Sequence, residues 1–489
     1  MTAPGDSWFA REGLALLTDF YELTMIAGYI KERRANARVC FEYFFRNLPP
    51  HSGFAVAAGL EPFLHYLSNL RFHDDDLDYL RSLGKFDDDF FSYIKDFRPA
   101  CTVRAIPEGT LVFPFEPLVQ IEGSIVEAQL VETALLNFLN FQTLIATKAA
   151  RICQAAEGEP VMEFGLRRAH GPDGGLSGSR AAFIGGCSSS SNVLAGKVYG
   201  VPVDGTHAHS WVMSFPDEIE AFRAFVRLYP DNPILLVDTY DTLESGVPNA
   251  ITVFKELRAQ GLDTRPSIRL DSGDLAKLSK LAHAMMCDAG FDDPLIVASN
   301  DLEEDLIADL KRQGAKINAW GVGTHLITSH DNPALNGVYK LVALEEDGVW
   351  LPRIKISSNV EKATDPGRKK LVRYYDAGGC PIGDVMYDAE EEWPDSGVID
   401  ARQRSQPHLA AQIRGAVRAE PLLQTVFENG AITVDLPPIA DLRQRALDQI
   451  NAIPDEFRRL RNPQIYNVLL SPRLAATKAE LLYSHTPST

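Results

Sequence analysis

Apolar positions along the chain fall into two periods. Near the start, Leu16 to Ile30 carries Leu23, Ile26 and Ala27 on one side, behind Thr18 and Asp19. Apolar residues three and four apart share a helix face, so this segment predicts a helix with a polar N-terminal stop. Val39 to Phe45 reads as a strand. Residues 101–122 alternate apolar and polar between Gly and Pro punctuation, which predicts two or three antiparallel strands. Leu130 to Glu157 predicts one long helix.

A different rhythm begins at Val161. Six short apolar runs end in polar or Gly-rich turns: VMEFG (161–165), VPVDGT (201–206), ILLVDTY (234–240), SIRLDSGD (267–274), LIVASND (295–301) and INAWGVGT (317–324). Helical patterns lie between them, such as Asp217–Tyr229 and Asp274–Gly290. Continuous apolar runs with polarity at their C-terminal ends are the pattern of buried parallel strands. Their spacing fits repeated βα units, so residues 160–345 predict an irregular, open or closed α/β (TIM-like) barrel, with a doubly wound sheet as the alternative. The fold class is therefore α/β. An α+β N-terminal domain is expected over 1–150 and the catalytic barrel over 151–345. The remainder, 346–489, should pack on the N-terminal domain. It begins in a hairpin (336–357) and passes through a polar, turn-rich stretch (361–405) with Lys362, Arg368, Lys369 and Lys370. From about 406 onward the pattern predicts a helical region.

With 489 residues the chain is long enough for two or three domains. Forty-eight basic residues against 66 acidic ones give a net charge of −18. A field of that sign repels nucleic acid and anionic membranes, so an anionic substrate needs a locally basic pocket. The cysteines (Cys40, Cys101, Cys153, Cys187, Cys287, Cys380) are dispersed, without a Cys-x-x-Cys pair. Reduced thiols and a cytoplasmic protein are expected. The start of the chain lacks a signal-peptide pattern, and no apolar stretch reaches the ~18 residues of a membrane span.

In parallel α/β barrels the chemistry gathers at the C-terminal strand ends. That rule selects Glu163, Phe164, Gly165, Arg167 and Arg168, then Asp204, Thr206, His207 and His209, then Asp238 and Asp241. Arg269, Asp271 and Asp274 follow, then Ser299, Asn300 and Asp301, and finally Gly321, Gly323 and Thr324. Arg269 lies within a strand and is costly to bury unpaired, so it either pairs with an Asp or holds an anionic substrate. AHGPDGGLSGSRAAF (169–183) reads as a Gly-rich loop that closes over a ligand or simply covers the surface. The Gly-x-Gly-Thr of 321–324 can offer backbone N–H groups to a phosphate. No P-loop is present, since Gly196-Lys197 is followed by Val198, so ATP would bind without one. The His207-x-His209 pair admits three readings: structural histidines, two zinc ligands, or a phosphoryl acceptor. The metal reading is incomplete, because the strand ends at 271 and 299 bring no histidine; His325 lies near an end and His283 within a helical pattern.

Six segments carry a resemblance: LLTDFYELTM (16–25), EFGLRRAHGPDGG (163–175), SSSNVLAGKVYGVPVDGTHAHS (189–210), IRLDSGDL (268–275), ASNDLEE (298–304) and WGVGT (320–324). Together and in this order they resemble nicotinate phosphoribosyltransferases. The resemblance implies a type II phosphoribosyltransferase fold and a homodimer. The implied reaction joins nicotinate and phosphoribosyl pyrophosphate into nicotinate mononucleotide and diphosphate, the first step of NAD salvage from nicotinate. It implies ATP as co-substrate and Mg2+, whose ligands it leaves unassigned. By the same resemblance His209 is the phosphohistidine and, with Asp271, catalytic, Asp271 lying near the ribose hydroxyls or magnesium. Tyr21, lent by the partner subunit, would stack on the pyridine ring. Phe164, Arg167, Thr206 and Arg269 would hold nicotinate, and Gly321, Gly323 and Thr324 the 5′-phosphate. Three anion-binding arginines, Arg167, Arg168 and Arg269, suit such substrates. Two other functions remain open: a nicotinamide-using transferase of the same fold and a metal-dependent barrel hydrolase built on His207 and His209.

Overall fold

The computed structural model describes residues 13–262, 264–356 and 363–484. The first twelve residues and Lys362 lie outside this range. The chain divides into two compact units, residues 145–333 and residues 1–144 with 334–489.

In the discontinuous unit, the helix Phe20–Lys31 starts behind Asp19 and buries Leu23 and Ile26, as the period predicts. The strand Arg38–Phe45 has seven consecutive buried residues. It sits inside a seven-stranded antiparallel sheet, between Val119–Ser124 and Gly337–Glu346. The expected hairpin is present as Gly337–Glu346 paired with Val349–Pro352. Thr102–Ala105 pairs with Val119–Ser124 on one side and Gln424–Glu428 on the other.

The prediction of a helical C-terminal region fails over its first part. Beyond 406, Ala410–Ala416, Arg418–Pro421 and Gln424–Glu428 are strands, and the stretch expected to be polar and turn-rich also carries strands, among them Lys369–Tyr375, Pro381–Asp388 and Gly397–Gln403. Helix returns at Ile439–Ala452 and Pro472–Ser484. The Ala, Arg, Gln and Glu of 410–428 favour helix in isolation. Pairing with neighbours overrides that preference, and Ile399 and Ala401 turn inward at the two-residue period of a strand.

The other unit holds a six-stranded parallel sheet in the order Ser189–Ser190, Val161–Glu163, Ala319–Val322, Leu295–Ala298, Ser267–Leu270, Ile234–Leu236. Five of the six predicted runs supply strands. The sixth, at 201–206, contributes only a bridge between Val203 and Ser190. The strand Ser189–Ser190, hidden in a serine run, takes a place the apolar pattern did not mark. Residues 169–183 are not a loop: Gly171–Ile184 is a helix with nine buried residues. A Cβ at Gly175 would come within 2.6 Å of the Leu166 side chain, so that glycine serves packing, whereas Gly171 has open space around it and takes φ 80°. Within this unit Glu304, which begins the helix after Leu295–Ala298, is buried and paired with Lys148 at 2.8 Å and Arg151 at 2.9 Å.

Strand pairing leaves this sheet open, with edges at Ser189–Ser190 and Ile234–Leu236. The segment 203–207 lies between the edges. Val203 bridges to Ser190, while the Thr206 hydroxyl donates to the Ile234 carbonyl at 3.2 Å and the Leu236 N–H donates to Nε2 of His207 at 3.2 Å.

Candidate active site

Parallel strands end on one side of a sheet, so the residues after Glu163, Leu236, Leu270, Ala298 and Val322 are brought together there. Arg269 is the centre of the group. Its Nε donates to Ser299 Oγ at 2.9 Å, one Nη to Asp271 Oδ1 at 3.0 Å and the other to the His207 carbonyl at 3.5 Å. The Ser299 hydroxyl also donates to Asp271 through a short bond. Burial pushes the Asp271 carboxyl up, but Ser299, Arg269 and His209 outweigh it and hold the group below the usual carboxylate range. Asp271 is therefore ionised near neutral pH.

His209 opens the short helix His209–Met213. Its Nδ1 lies 3.2 Å from Thr239 Oγ1, and its Nε2 lies 3.7 Å from Asp271 Oδ2. The side chain is 41% exposed, so a reactant can reach the ring. Asp238 accepts the Asp271 N–H at 2.8 Å and the Ser272 hydroxyl at 2.7 Å through one oxygen. Its other oxygen is buried and has no hydrogen-bond partner among the described residues.

The remaining strand-end carboxylates separate by what they hold. Asp241 caps the turn of helix after it, accepting from Leu243 and Glu244 N–H, and Asp274 caps Leu275–Asp288 through Lys277 N–H. Asp204 accepts the N–H of Gly205. These three shape turns. Asn300 and Asp301 take positive φ of 90° and 41°, so the strand end turns sharply just after Ser299.

On the far side of the mouth, Phe164 follows the strand Val161–Glu163, its N–H donating to Val322 O at 2.7 Å. Gly321 lies beneath its ring: a Cβ there would come within 2.8 and 2.9 Å of two ring carbons. Gly323 is open by comparison, the nearest atom to an added Cβ being 3.4 Å away, and Thr324 begins the turn Thr324–Ile327. Arg167 and Arg168 lie on a short helical turn with exposed side chains. Tyr21 belongs to the other unit, is 46% exposed, and has its hydroxyl pushed up by burial and by Glu22, Glu132 and Asp19.

Glu163 was visible as a strand end but its partners were not. It is fully buried and accepts hydrogen bonds from Ser179 at 2.9 Å, Ser190 at 2.6 Å and the Gly165 N–H. Asn192 completes the cluster, donating to Ser179 and capping Val193–Tyr199. These bonds fix the chain on both sides of Phe164. Their signal lay in the serine run and the Gly-rich segment, which period alone cannot distinguish from coil.

The two histidines do not point at a common centre. His207 is buried against Phe225, with Nε2 taken by Leu236, whereas His209 faces Thr239 and Asp271. Among the described residues no group of three or more His, Cys, Asp or Glu side chains is arranged to hold a metal ion.

Two family models match the chain: the nicotinate phosphoribosyltransferase N-terminal domain over residues 16–140 and its C-terminal domain over 368–478. A nicotinate phosphoribosyltransferase of Bacillus subtilis is 44% identical, covering 97% of this chain and 96% of that protein. The one from Homo sapiens is 36% identical over 96% and 97%. A crystal structure of the human nicotinic acid phosphoribosyltransferase superposes with a TM-score of 0.82 at 34% identity, covering 95% of this chain and 99% of that one. Near-complete coverage at this identity settles the kinship: the chain belongs to the nicotinate phosphoribosyltransferase family.

Proposed function

We propose that the protein forms nicotinate mononucleotide and diphosphate from nicotinate and 5-phosphoribosyl 1-diphosphate, coupled to ATP hydrolysis through a phosphohistidine. The observation that carries this is the tethered Arg269 beside His209. Three of its five N–H donors are engaged by Ser299, Asp271 and the His207 carbonyl, leaving one on each terminal nitrogen. Such a fork is oriented in advance for a carboxylate. Phe164 offers an apolar face to the pyridine ring, and Tyr21 of a partner subunit would cover the other face in a homodimer. Thr206 holds the pocket wall, since its hydroxyl hydrogen is spent on Ile234 O. Arg167 adds positive charge, and the backbone of Gly323 and Thr324 receives the 5′-phosphate, with Gly321 giving Phe164 its room.

In the transfer, the ring nitrogen of nicotinate forms a bond to C1 of the ribose as the C1–O bond to diphosphate breaks, the leaving oxygen keeping the electron pair. Asp271 is a fixed negative charge beside the positive charge developing on the sugar. Magnesium, which usually keeps several waters and takes one or two carboxylates plus substrate phosphates, suits Asp238 and Asp271. The unpartnered Asp238 oxygen supports that placement. When bound, the ion would neutralise diphosphate charge.

We read the parallel sheet, with 203–207 between its edges, as an irregular barrel. All six cysteines are free, which suits a cytoplasmic enzyme. The test is a product assay with nicotinate and with nicotinamide, each with and without ATP. Nicotinate mononucleotide, formed faster with ATP, is expected; nicotinamide mononucleotide as the main product would replace this reading with its nearest rival.

A further inference from the structure

The outer edge of Ile234–Leu236 poses a problem that the strand ladder does not solve. In a parallel pair, one residue of a strand gives its N–H to a carbonyl of its neighbour and its carbonyl to an N–H two positions further on. On its inner edge, Ile234–Leu236 is satisfied by Ser267–Leu270. On the outer edge, the Ile234 carbonyl and the Leu236 N–H remain. Leu236 is fully buried, and a buried N–H left unpaired is costly.

Those two groups are met by two consecutive side chains. The Thr206 hydroxyl donates to Ile234 O at 3.2 Å, and His207 Nε2 accepts from Leu236 N–H at 3.2 Å. One donor and one acceptor, spaced to meet a carbonyl and the N–H two residues later, reproduce what a single backbone residue of a neighbouring strand would offer. We propose that His207 is a positioning residue: its neutral imidazole, with Thr206, stands in for the missing strand and latches the wall that carries His209 and steadies Arg269. This rests on the transferase reading above.

The surroundings of His207 fit the role. Its ring sits edge-on against Phe225, with centroids 4.6 Å apart, and Phe222 lies behind at 6.3 Å. Accepting a backbone N–H at Nε2 requires a lone pair there, which places the ring proton on Nδ1, 3.5 Å from the Ala208 carbonyl. Burial favours the same neutral form, pushing the imidazole down to about 4. The latch reaches substrate through the backbone: the carbonyl of His207 itself accepts from Arg269 at 3.5 Å, and His209 follows two residues on. His207 therefore works through Arg269 and His209 rather than by touching nicotinate.

The test compares three proteins: wild type, His207→Gln and His207→Leu. Glutamine keeps an acceptor near the position of Nε2; leucine keeps apolar volume and removes it. Two readouts are taken, the steady-state constants for nicotinate and the hydrogen exchange of the Leu236 amide, resolved by fragmentation of proteolytic peptides. Losing one buried hydrogen bond should raise KM for nicotinate roughly tenfold in His207→Leu, with a smaller change in kcat, while His207→Gln stays within about threefold of wild type. The Leu236 amide should stay protected in wild type and His207→Gln and lose protection in His207→Leu. Unchanged protection in His207→Leu, or equal damage in both variants, overturns the latch. If His207→Leu does not fold, His207→Gln decides alone: retained protection and KM support the latch, their loss overturns it. Should wild type make no nicotinate mononucleotide, the transferase reading fails on its own, while the amide exchange still judges the latch.

Discussion

Arg269 and Asp271 are joined at 3.0 Å across the end of one strand, and Ser299 from the next strand bonds to both. The arrangement explains how an arginine can occupy a buried strand. Its charge is matched, and its fork is held still before any ligand arrives. Lysine cannot do this, being a point charge on a flexible stem. Arg269→Lys should therefore lower kcat/KM for nicotinate by roughly 10- to 100-fold, the size of a lost charge-assisted hydrogen bond. Nicotinamide turnover should change much less. Equal losses on the two bases would show that Arg269 does not read the carboxylate.

The glycines of WGVGT should respond differently to the same substitution. A methyl at Gly321 meets the Phe164 ring at under 3 Å, so Gly321→Ala must move that ring. Around Gly323 the nearest atom to an added methyl, the Phe164 carbonyl oxygen, is 3.4 Å away. Gly321→Ala should raise KM for nicotinate and lower thermal stability by about 1–3 kcal/mol, the usual cost of overpacking. Gly323→Ala should leave the Phe164 ring in place and KM for nicotinate nearly unchanged, and the bulkier Gly323→Val should weaken phosphoribosyl pyrophosphate binding. The comparison is made by thermal melts and by both substrates' KM; matching behaviour of the two positions would contradict the division of labour.

Much of this site was legible because parallel strands announce themselves twice, by an apolar run and by the polar residues at its end. Arg269, Asp271, Asp238 and Ser299 all stand out on that ground, and they do meet. What stayed hidden has physical causes. Asp241 and Asp274 sit at strand ends too, but as helix caps, and a cap and a site carboxylate look alike in one dimension. Ser189–Ser190 is a two-residue strand without apolar character, held by its neighbours. Residues 410–428 carry helix-favouring side chains yet pair as strands because tertiary partners are available. The latch formed by Thr206 and His207 depends on an edge 28 to 29 residues away, which no local pattern records.

Tyr21 stands on an exposed helix face in the unit that does not contain Arg269. If it serves a partner's site, two different defects can be repaired in one dimer. Tyr21→Ala and Arg269→Ala should each be nearly inactive alone. Mixed and allowed to exchange subunits, they should recover activity, approaching a quarter of wild type at equal amounts by random pairing with one intact site per heterodimer. Absence of recovery in heterodimers verified by mass would mean that each site is built from one chain.

His207 also gives stability a pH dependence of known sign. Burial lowers the folded group from 6.5 to about 4; the Ala208 carbonyl opposes this, and Arg269 and His209 add to it. Between those values the unfolded chain binds a proton that the native state refuses, so stability falls as pH drops. The contribution is complete above the unfolded value and is lost as pH falls through the folded one. Thermal melts of wild type and His207→Gln from pH 7.5 to 4.5 check this. Wild type should lose ground to the variant as the pH falls. A difference that stays constant, or grows in favour of wild type, would mean that the histidine is not neutral in the fold.

The last expectation concerns His209 and energy coupling. Its ring is anchored at Nδ1 by Thr239, and Nε2 lies 3.7 Å from Asp271 Oδ2. In the tautomer whose Nδ1 proton is donated to Thr239, Nε2 keeps a lone pair on the Asp271 side of the ring, and an imidazole nitrogen with a free lone pair is a competent nucleophile. In attacking the γ-phosphorus of ATP, Nε2 forms the N–P bond, the bond to the ADP oxygen breaks, and ADP leaves with the electron pair. Asp271, 3.7 Å away, is placed to offset the positive charge arising on the ring. The added phosphoryl group then brings negative charge beside Arg269 and Asp271, and it can drive synthesis only by favouring one binding state of the site over another. Incubation with γ-labelled ATP should give a label that is acid-labile and base-stable. It should be absent from His209→Asn and His209→Ala, and present in His207→Gln. Thr239→Val should slow labelling, since the ring loses its anchor, without abolishing it. ATP-independent synthesis should survive in the His209 variants, because bond formation at the ribose needs no phosphoryl group on the protein. Equal labelling of wild type and the His209 variants would put the acceptor elsewhere, and loss of label in His207→Gln alone would exchange the roles of the two histidines.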